Sequence, residues 1–219
     1  MVFSLSVEEE LKNKPFLAKK GLVRSLSAHI KQITKACDLP VIYYDESKQY
    51  GATFGAKYSN ALQDVYNLGY DAIITIGTDS PHLEARHILK AKEGLLNDNA
   101  VIGPTFDGGY YLLGIAKEDF DYNTFLNFSW NTETVYNEMS QVLTHKKCNT
   151  IVLQKLWDID HFYDINTLSL KNLNNVLLSQ VIQSIRTSNE NNSRVVHSYI
   201  PLLIHRIPFN KGSPLLTSI

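Results

Sequence analysis

The segment "DAIITIGTDSPHLEARHILKA", residues 71–91, does most to limit what this chain can become. "AIITI" is an unbroken apolar run, and strands of that kind belong in parallel sheets covered on both faces. It ends in Gly77 and the polar Thr78, Asp79 and Ser80, and a helical pattern follows at once. A strand that feeds a helix is half of a βαβ unit, so its sheet needs right-handed crossovers and helices on its faces.

The rest of the chain repeats that alternation. "MVFSLS" reads as a short strand, and "VEEELKNK" as a loop or a helical turn. Leu22, Val23, Leu26, Ile30 and Ile33 recur at helical spacing, as do Tyr58, Ala61, Leu62, Val65 and Tyr66. Gly69 closes the second of these helices. "LPVIYYDES", "AVIGP" and "YYLLGI" are strands. An aromatic-rich loop follows, then a helix with Val135, Met139 and Val142, a strand in "NTIVLQKLW", an acidic loop and the helix "SLKNLNNVLLSQVIQSIRT". "SNENNSR" reads as a linker. The last stretch, from Val195, has three prolines and cannot be one long helix. At 219 residues the chain suits one α/β domain over 1–170 and an appendage over 171–219.

Composition excludes several classes. The net charge of −1 provides no global field for nucleic acid or an anionic membrane. Cys37 and Cys148 are too far apart for a zinc ribbon or a redox pair. The start lacks a signal-peptide pattern, and no apolar run reaches the ~20 residues of a membrane helix, so the expectation is a cytoplasmic protein. Seven histidines include no pair four residues apart. No nucleophile elbow, P-loop or dinucleotide fingerprint is present.

Three acidic positions fall where a parallel sheet binds ligands, beyond the carboxyl ends of its strands. Asp79 follows "AIITIG"; such a carboxylate holds a divalent ion, or else Asp79 or Ser80 caps the next helix with Pro81 in its first turn. Asp107, with Gly108 and Gly109, either shapes a ligand loop or makes a hairpin turn. In "WDIDHFYDI", Asp158 and Asp160 share one side of an extended segment, and either they enter the same cleft or they form a solvated loop capped at Asp164.

"IGTDSPHL", "VIGPTFDGGYYLLGI", "LNFSWNTETV" and "LWDIDHFYDI" together resemble, in order and spacing, a bacterial family of uncharacterised glycosyltransferase-like proteins. The upstream "QYGATFGAKYSNAL" resembles it too, so the likeness covers about residues 49–165. That family looks like a branch of the nucleotide-diphospho-sugar transferase superfold, GT-A, similar to molybdenum-cofactor and phospholactate nucleotidyltransferases. The resemblance implies a three-layer, Rossmann-like α/β sandwich with a mixed, mainly parallel sheet. It implies Mg²⁺ or Mn²⁺ held by Asp79 and Asp160, with Asp79 and Asp107 in the catalytic set. It implies a substrate-binding set of Thr78, Ser80, Gly108, Gly109, Tyr110 and Trp130.

The chain departs from the family at its first loop, where members resemble P-G-x-x-K-T-R-L. Here "VEEELKNKPFLAKKGLVRSL" offers Lys14, Lys19, Lys20 and Arg24 without that motif, and Glu8, Glu9 and Glu10 beside them. The expected function is metal-assisted nucleotidyl or glycosyl transfer from a nucleotide or nucleotide sugar to a small-molecule acceptor, without nucleic acid. The alternative is a non-catalytic ligand-binding or interaction protein on the same scaffold, with a homodimer built through Tyr199, Leu202, Leu203, Ile204 and Phe209 of the tail.

Overall fold

The structure, a computed structural model, describes residues 1–15, 21–145 and 149–196. Its elements run β1 (Val2–Phe3), α1 (Val7–Asn13), α2 (Leu22–Lys35), β2 (Tyr43–Tyr44), α3 (Phe54–Asn67), β3 (Ala72–Ile76), α4 (Ala85–Leu96), β4 (Asn99–Pro104), β5 (Tyr110–Ala116), α5 (Tyr122–Leu126), α6 (Val135–His145), β6 (Asn149–Val152), α7 (Phe162–Thr167) and α8 (Val176–Val196).

The strands form one sheet in the order β2-β1-β3-β5-β4-β6. β1 runs parallel to β2 and β3, and β4 runs parallel to β6. Only β5 is antiparallel to its neighbours, β3 and β4. The short 105–109 loop explains the exception, because a parallel crossover needs a dozen or more residues. The mixed, mainly parallel sheet that the resemblance implied is thus observed.

Alternate side chains of the strands enter two cores. Ile73, Ile102, Leu113 and Ile115 pack with Leu62 and Tyr66 of α3, Phe125 of α5 and Met139 of α6. Ile76, Val101 and Leu112 pack with Ile30 and Ile33 of α2 and Ile88 and Ala91 of α4. Burial on both faces is what the continuous apolar runs required. A third cluster joins Leu22 and Leu26 of α2 to Ile165 of α7 and to Leu178, Ile182 and Ile185 of α8. Among the described residues, Met1–Arg186 make one compact unit.

Three local expectations are corrected. "VEEELKN" is a helix, α1, whose N-cap Ser6 accepts from the Glu9 N–H at 3.2 Å. α4 starts at Ala85, not near Pro81: Glu84 and His87 form a capping box, and Ser80 to Leu83 turn before it. Residues 188–194 continue α8, since they contain neither Gly nor Pro and their Ser and Asn lower helix propensity without ending a helix. The tail residues from 197 on, with the homodimer expectation they carried, lie outside the described residues, as do Lys19, Lys20 and Cys148.

No helix among the described residues is long and apolar enough to cross a membrane. A cavity of about 390 Å³ opens around the start of β3 among Ile42, Ile74, Ile88 and Leu95, and none of the acids singled out in the sequence lines it.

Candidate active site

β3 ends at Ile76, and the chain then leaves the sheet through Gly77 and Thr78 to Asp79. The carbonyl of Asp79 accepts the Ile159 N–H at 2.9 Å, which ties this loop to the segment after β6. Thr78 and Asp79 line a cavity of about 30 Å³ with Ser4 and Glu10, room for a water or an ion but not a nucleotide. Ser80 is 2% exposed, and its hydroxyl has no hydrogen-bond partner among the described residues.

The β4–β5 connection is a built loop and a hairpin at once. The Thr105 N–H donates to the Gly109 carbonyl at 3.0 Å, closing the turn. Asp107 Oδ1 accepts from the Thr105 hydroxyl and from the Gly109 N–H, so the carboxylate is oriented from both sides. Gly108 has φ +96°, and a Cβ there would lie 2.1 Å from the Glu133 carbonyl oxygen. Only glycine allows this approach, and the Tyr136 N–H then reaches the Gly108 carbonyl at 3.0 Å. Gly108 therefore packs the loop against the start of α6, while Gly109 orients Asp107.

The segment after β6 stays beside β4 beyond both strands, one residue out of register: Ile102 pairs with Val152, but Thr105 with Leu156. Leu156 donates to the Pro104 carbonyl and Phe106 donates to the Leu156 carbonyl, each at 3.1 Å, and Thr105 bridges Leu156. The pairing delivers Asp158 and Asp160 to Asp107. Ligand oxygens of the three lie within 4.8 Å of one another. Asp164 is structural: its Oδ2 accepts the N–H groups of Asp160 and His161 at 2.9 and 2.6 Å at the start of α7.

Lys14, just past α1, reaches over this cluster. Its Nζ lies 2.7 Å from Asp160 Oδ1, 3.3 Å from Glu10 Oε1 and 4.0 Å from Asp79 Oδ2. Asp79 and Asp160, assigned together from the sequence, are on one rim and share this ammonium. Burial alone would lower the Lys14 pKa, but the carboxylates of Asp79 and Asp160 outweigh it and raise it above its ordinary value. Burial, with Asp79, Asp107 and Asp160 as like-charged neighbours, pushes the Asp158 carboxyl up to about 8. Burial also raises Asp79, to about 6, with Lys14 opposing. Crowded acids that hold protons near neutrality are a site prepared for positive charge.

Two sequence assignments sit elsewhere. Trp130 packs at 5.1 Å from both Phe54 and Tyr58, and its Nε1–H donates to the Phe125 carbonyl at 2.7 Å. A Cβ on Gly55 would lie 2.6 Å from the Trp130 ring, so the "TFGAKY" and "FSWNT" motifs lock to each other. Tyr110 joins this aromatic layer, centroids 6.5 Å from Tyr58 and 6.2 Å from Trp130. Arg24 is exposed on α2. The spacing of "DID" raised the shared cleft for Asp158 and Asp160, though only Asp160 was assigned as a ligand by resemblance. What the sequence reading missed is Lys14 as a partner of the acids, since nothing in the sequence pointed it at Asp160, 146 residues away.

The fold is similar to that of a solved structure described as a "putative nucleotide-diphospho-sugar transferase" from Desulfovibrio desulfuricans G20, which matches with a TM-score of 0.63 at 22% identity, over 89% of this chain and 96% of that one. A homolog of Mycobacterium tuberculosis rv0371c from Mycobacterium sp. strain JC1 matches with a TM-score of 0.44 at 10% identity, over 83% and 97%. Residues 39–132 match the model of a family described as "Uncharacterized protein conserved in bacteria (DUF2064)". That segment holds the Asp79, Asp107 and Trp130 motifs, and the match agrees with the resemblance read from them. No curated protein matches the chain.

Proposed function

We propose that the protein is a divalent-metal-assisted transferase that moves a glycosyl or nucleotidyl group from a nucleotide-linked donor to a small hydroxylated acceptor. The observation that carries the reading is the convergence of Asp107, Asp158 and Asp160 from separate loops, with Asp79 beside them, at the carboxyl ends of β3, β4 and β6. The donor set is all carboxylate oxygen, which suits hard cations such as Mg²⁺ or Mn²⁺ rather than softer metals.

Asp158 and Asp160 would hold the ion, with Asp107 completing the triad. When bound, such an ion neutralises donor phosphate charge and stabilises the leaving group. Asp79 and Glu10 hold Lys14 over the cluster, as a second positive charge on the donor side. Asp107 Oδ1 is engaged by Thr105 and Gly109, so Oδ2 is the oxygen left to take a proton from an acceptor hydroxyl. Thr78 and Ser80 flank Asp79, and the unpartnered Ser80 hydroxyl is available to a ligand or water. Positioning and charge neutralisation would supply most of the rate.

A thermal-shift series with nucleotides and nucleotide sugars, with and without Mn²⁺, tests this reading. The expected result is a nucleotide-dependent rise in Tm that requires Mn²⁺ and is absent in Asp160→Asn. No stabilisation by any nucleotide in the presence of Mn²⁺ contradicts it.

A further inference from the structure

Phe106 and Trp157 are exposed at 46% and 44%, yet their rings stack with centroids 4.3 Å apart and planes 18° from parallel. Lys155 Nζ sits 5.2 Å from the Phe106 ring centroid. Each ring is the chain neighbour of an acid in the cluster. We propose that the Phe106–Trp157 stack is a clamp that positions Asp107 and Asp158, making both aromatics positioning residues of the site.

A single bridge joins the two segments past the ends of β4 and β6, one residue out of the β4–β6 register. Thr105 bridges Leu156, and the Phe106 N–H donates to the Leu156 carbonyl. One residue further along each segment the Phe106 and Trp157 rings stack, and the residues after them, Asp107 and Asp158, bring carboxylate oxygens within 4.8 Å of each other. Thr105 and Leu156 are buried, and the Thr105 hydroxyl donates to Asp107.

Carboxylate oxygens of Asp107 and Asp158 lie within 4.8 Å of each other, so the two loop ends repel when both acids are charged. Left alone, that repulsion would splay the two segments apart. The rings contribute little to the core, since almost half of each remains in water. Their stacking instead supplies an attraction one residue before the repulsion. The proposal rests on the transferase reading for the purpose of the cluster, but the clamp has a signature that needs no metal.

The test is Trp157→Ala, with Phe106→Ala as a second variant and Trp157→Phe as the conservative one. Two quantities are measured on the full chain: amide hydrogen exchange in metal-free buffer and the Mn²⁺ dissociation constant. The alanine variants should speed exchange at the Phe106 and Ile159 amides while leaving β5 unchanged, and weaken Mn²⁺ binding about tenfold. Trp157→Phe should restore both. Unchanged exchange overturns the clamp, whether or not Mn²⁺ binding falls, because the rings would then act on something other than the loops. Faster exchange with unaltered Mn²⁺ binding overturns it as well. A wild type that does not bind Mn²⁺ overturns the transferase reading instead, and the exchange data alone then decide the clamp.

Discussion

Lys14 Nζ lies 2.7 Å from Asp160 Oδ1, bringing the end of α1 against the loop before α7. The ammonium also meets Glu10 and Asp79, so one lysine serves three carboxylates. It is the cation that the cluster carries within its own chain. Lys14→Met removes it and leaves acids facing one another. The loss in metal-free buffer should be about 1 kcal/mol, since Asp79 and Asp160 are partly solvent-screened. Because a divalent ion then relieves more repulsion, Mn²⁺ should raise the Tm of Lys14→Met by more than that of wild type. Thermal denaturation with and without Mn²⁺ measures both; equal increments would show that Lys14 and the ion do not share the acids.

The pH dependence has a definite sign. Asp158 and Asp79 rise from an ordinary 3.8 to about 8 and about 6 in the folded chain. The folded state therefore holds protons that the unfolded state has released. The stability these groups provide is complete below pH 3.8 and is lost as pH rises through 6 and then 8. Asp158→Asn should flatten the upper part of that decline in chelator-treated protein. With saturating Mn²⁺ the trend should reverse, because ligand carboxylates bind metal only when deprotonated. Tm followed across this range in both buffers checks it.

Glycines separate backbone freedom from close packing. Gly69, the residue after α3's C-cap, has φ +96° with nothing near its would-be Cβ, so Gly69→Ala should cost about 1 kcal/mol. Gly108 has the same φ but faces the Glu133 backbone at 2.1 Å. Gly108→Ala should cost more than about 2 kcal/mol and displace Asp107. Chemical denaturation of the two variants gives the comparison directly.

Trp130→Phe tests whether that ring belongs to the core. It loses the hydrogen bond to Phe125 and should lose about 1–2 kcal/mol of stability. Mn²⁺ affinity should stay at the wild-type value in calorimetry. A fall in affinity at unchanged stability would move Trp130 to the cleft.

The sheet was legible because its apolar runs are buried on both faces, a requirement that leaves a continuous hydrophobic string in the chain. Asp79 was legible for a related reason: it marks where such a string stops. Harder to read were features decided by partners distant in sequence. α1 hides behind three successive glutamates and depends on Ser6. The start of α4 depends on a reciprocal bond between Glu84 and His87, while Ser80 and Pro81 mimic a start. The packing of Trp130 against Phe54 and Gly55 depends on the fold and could not be read from its motif. Phe106 and Trp157, the exposed aromatics, drew no notice because neither belongs to a spacing pattern. Their pairing depends on a one-residue slip after β4 and β6, where Thr105 bridges Leu156.

The central claim is that Asp107, Asp158 and Asp160 form one binding site for a divalent ion. Calorimetric titration of Mn²⁺ into chelator-treated wild type, Asp158→Asn and Asp160→Asn tests it most directly. The account predicts one saturable site in wild type and a loss of at least about tenfold in affinity in each variant. Undiminished binding in both variants, or no binding in wild type, would contradict it.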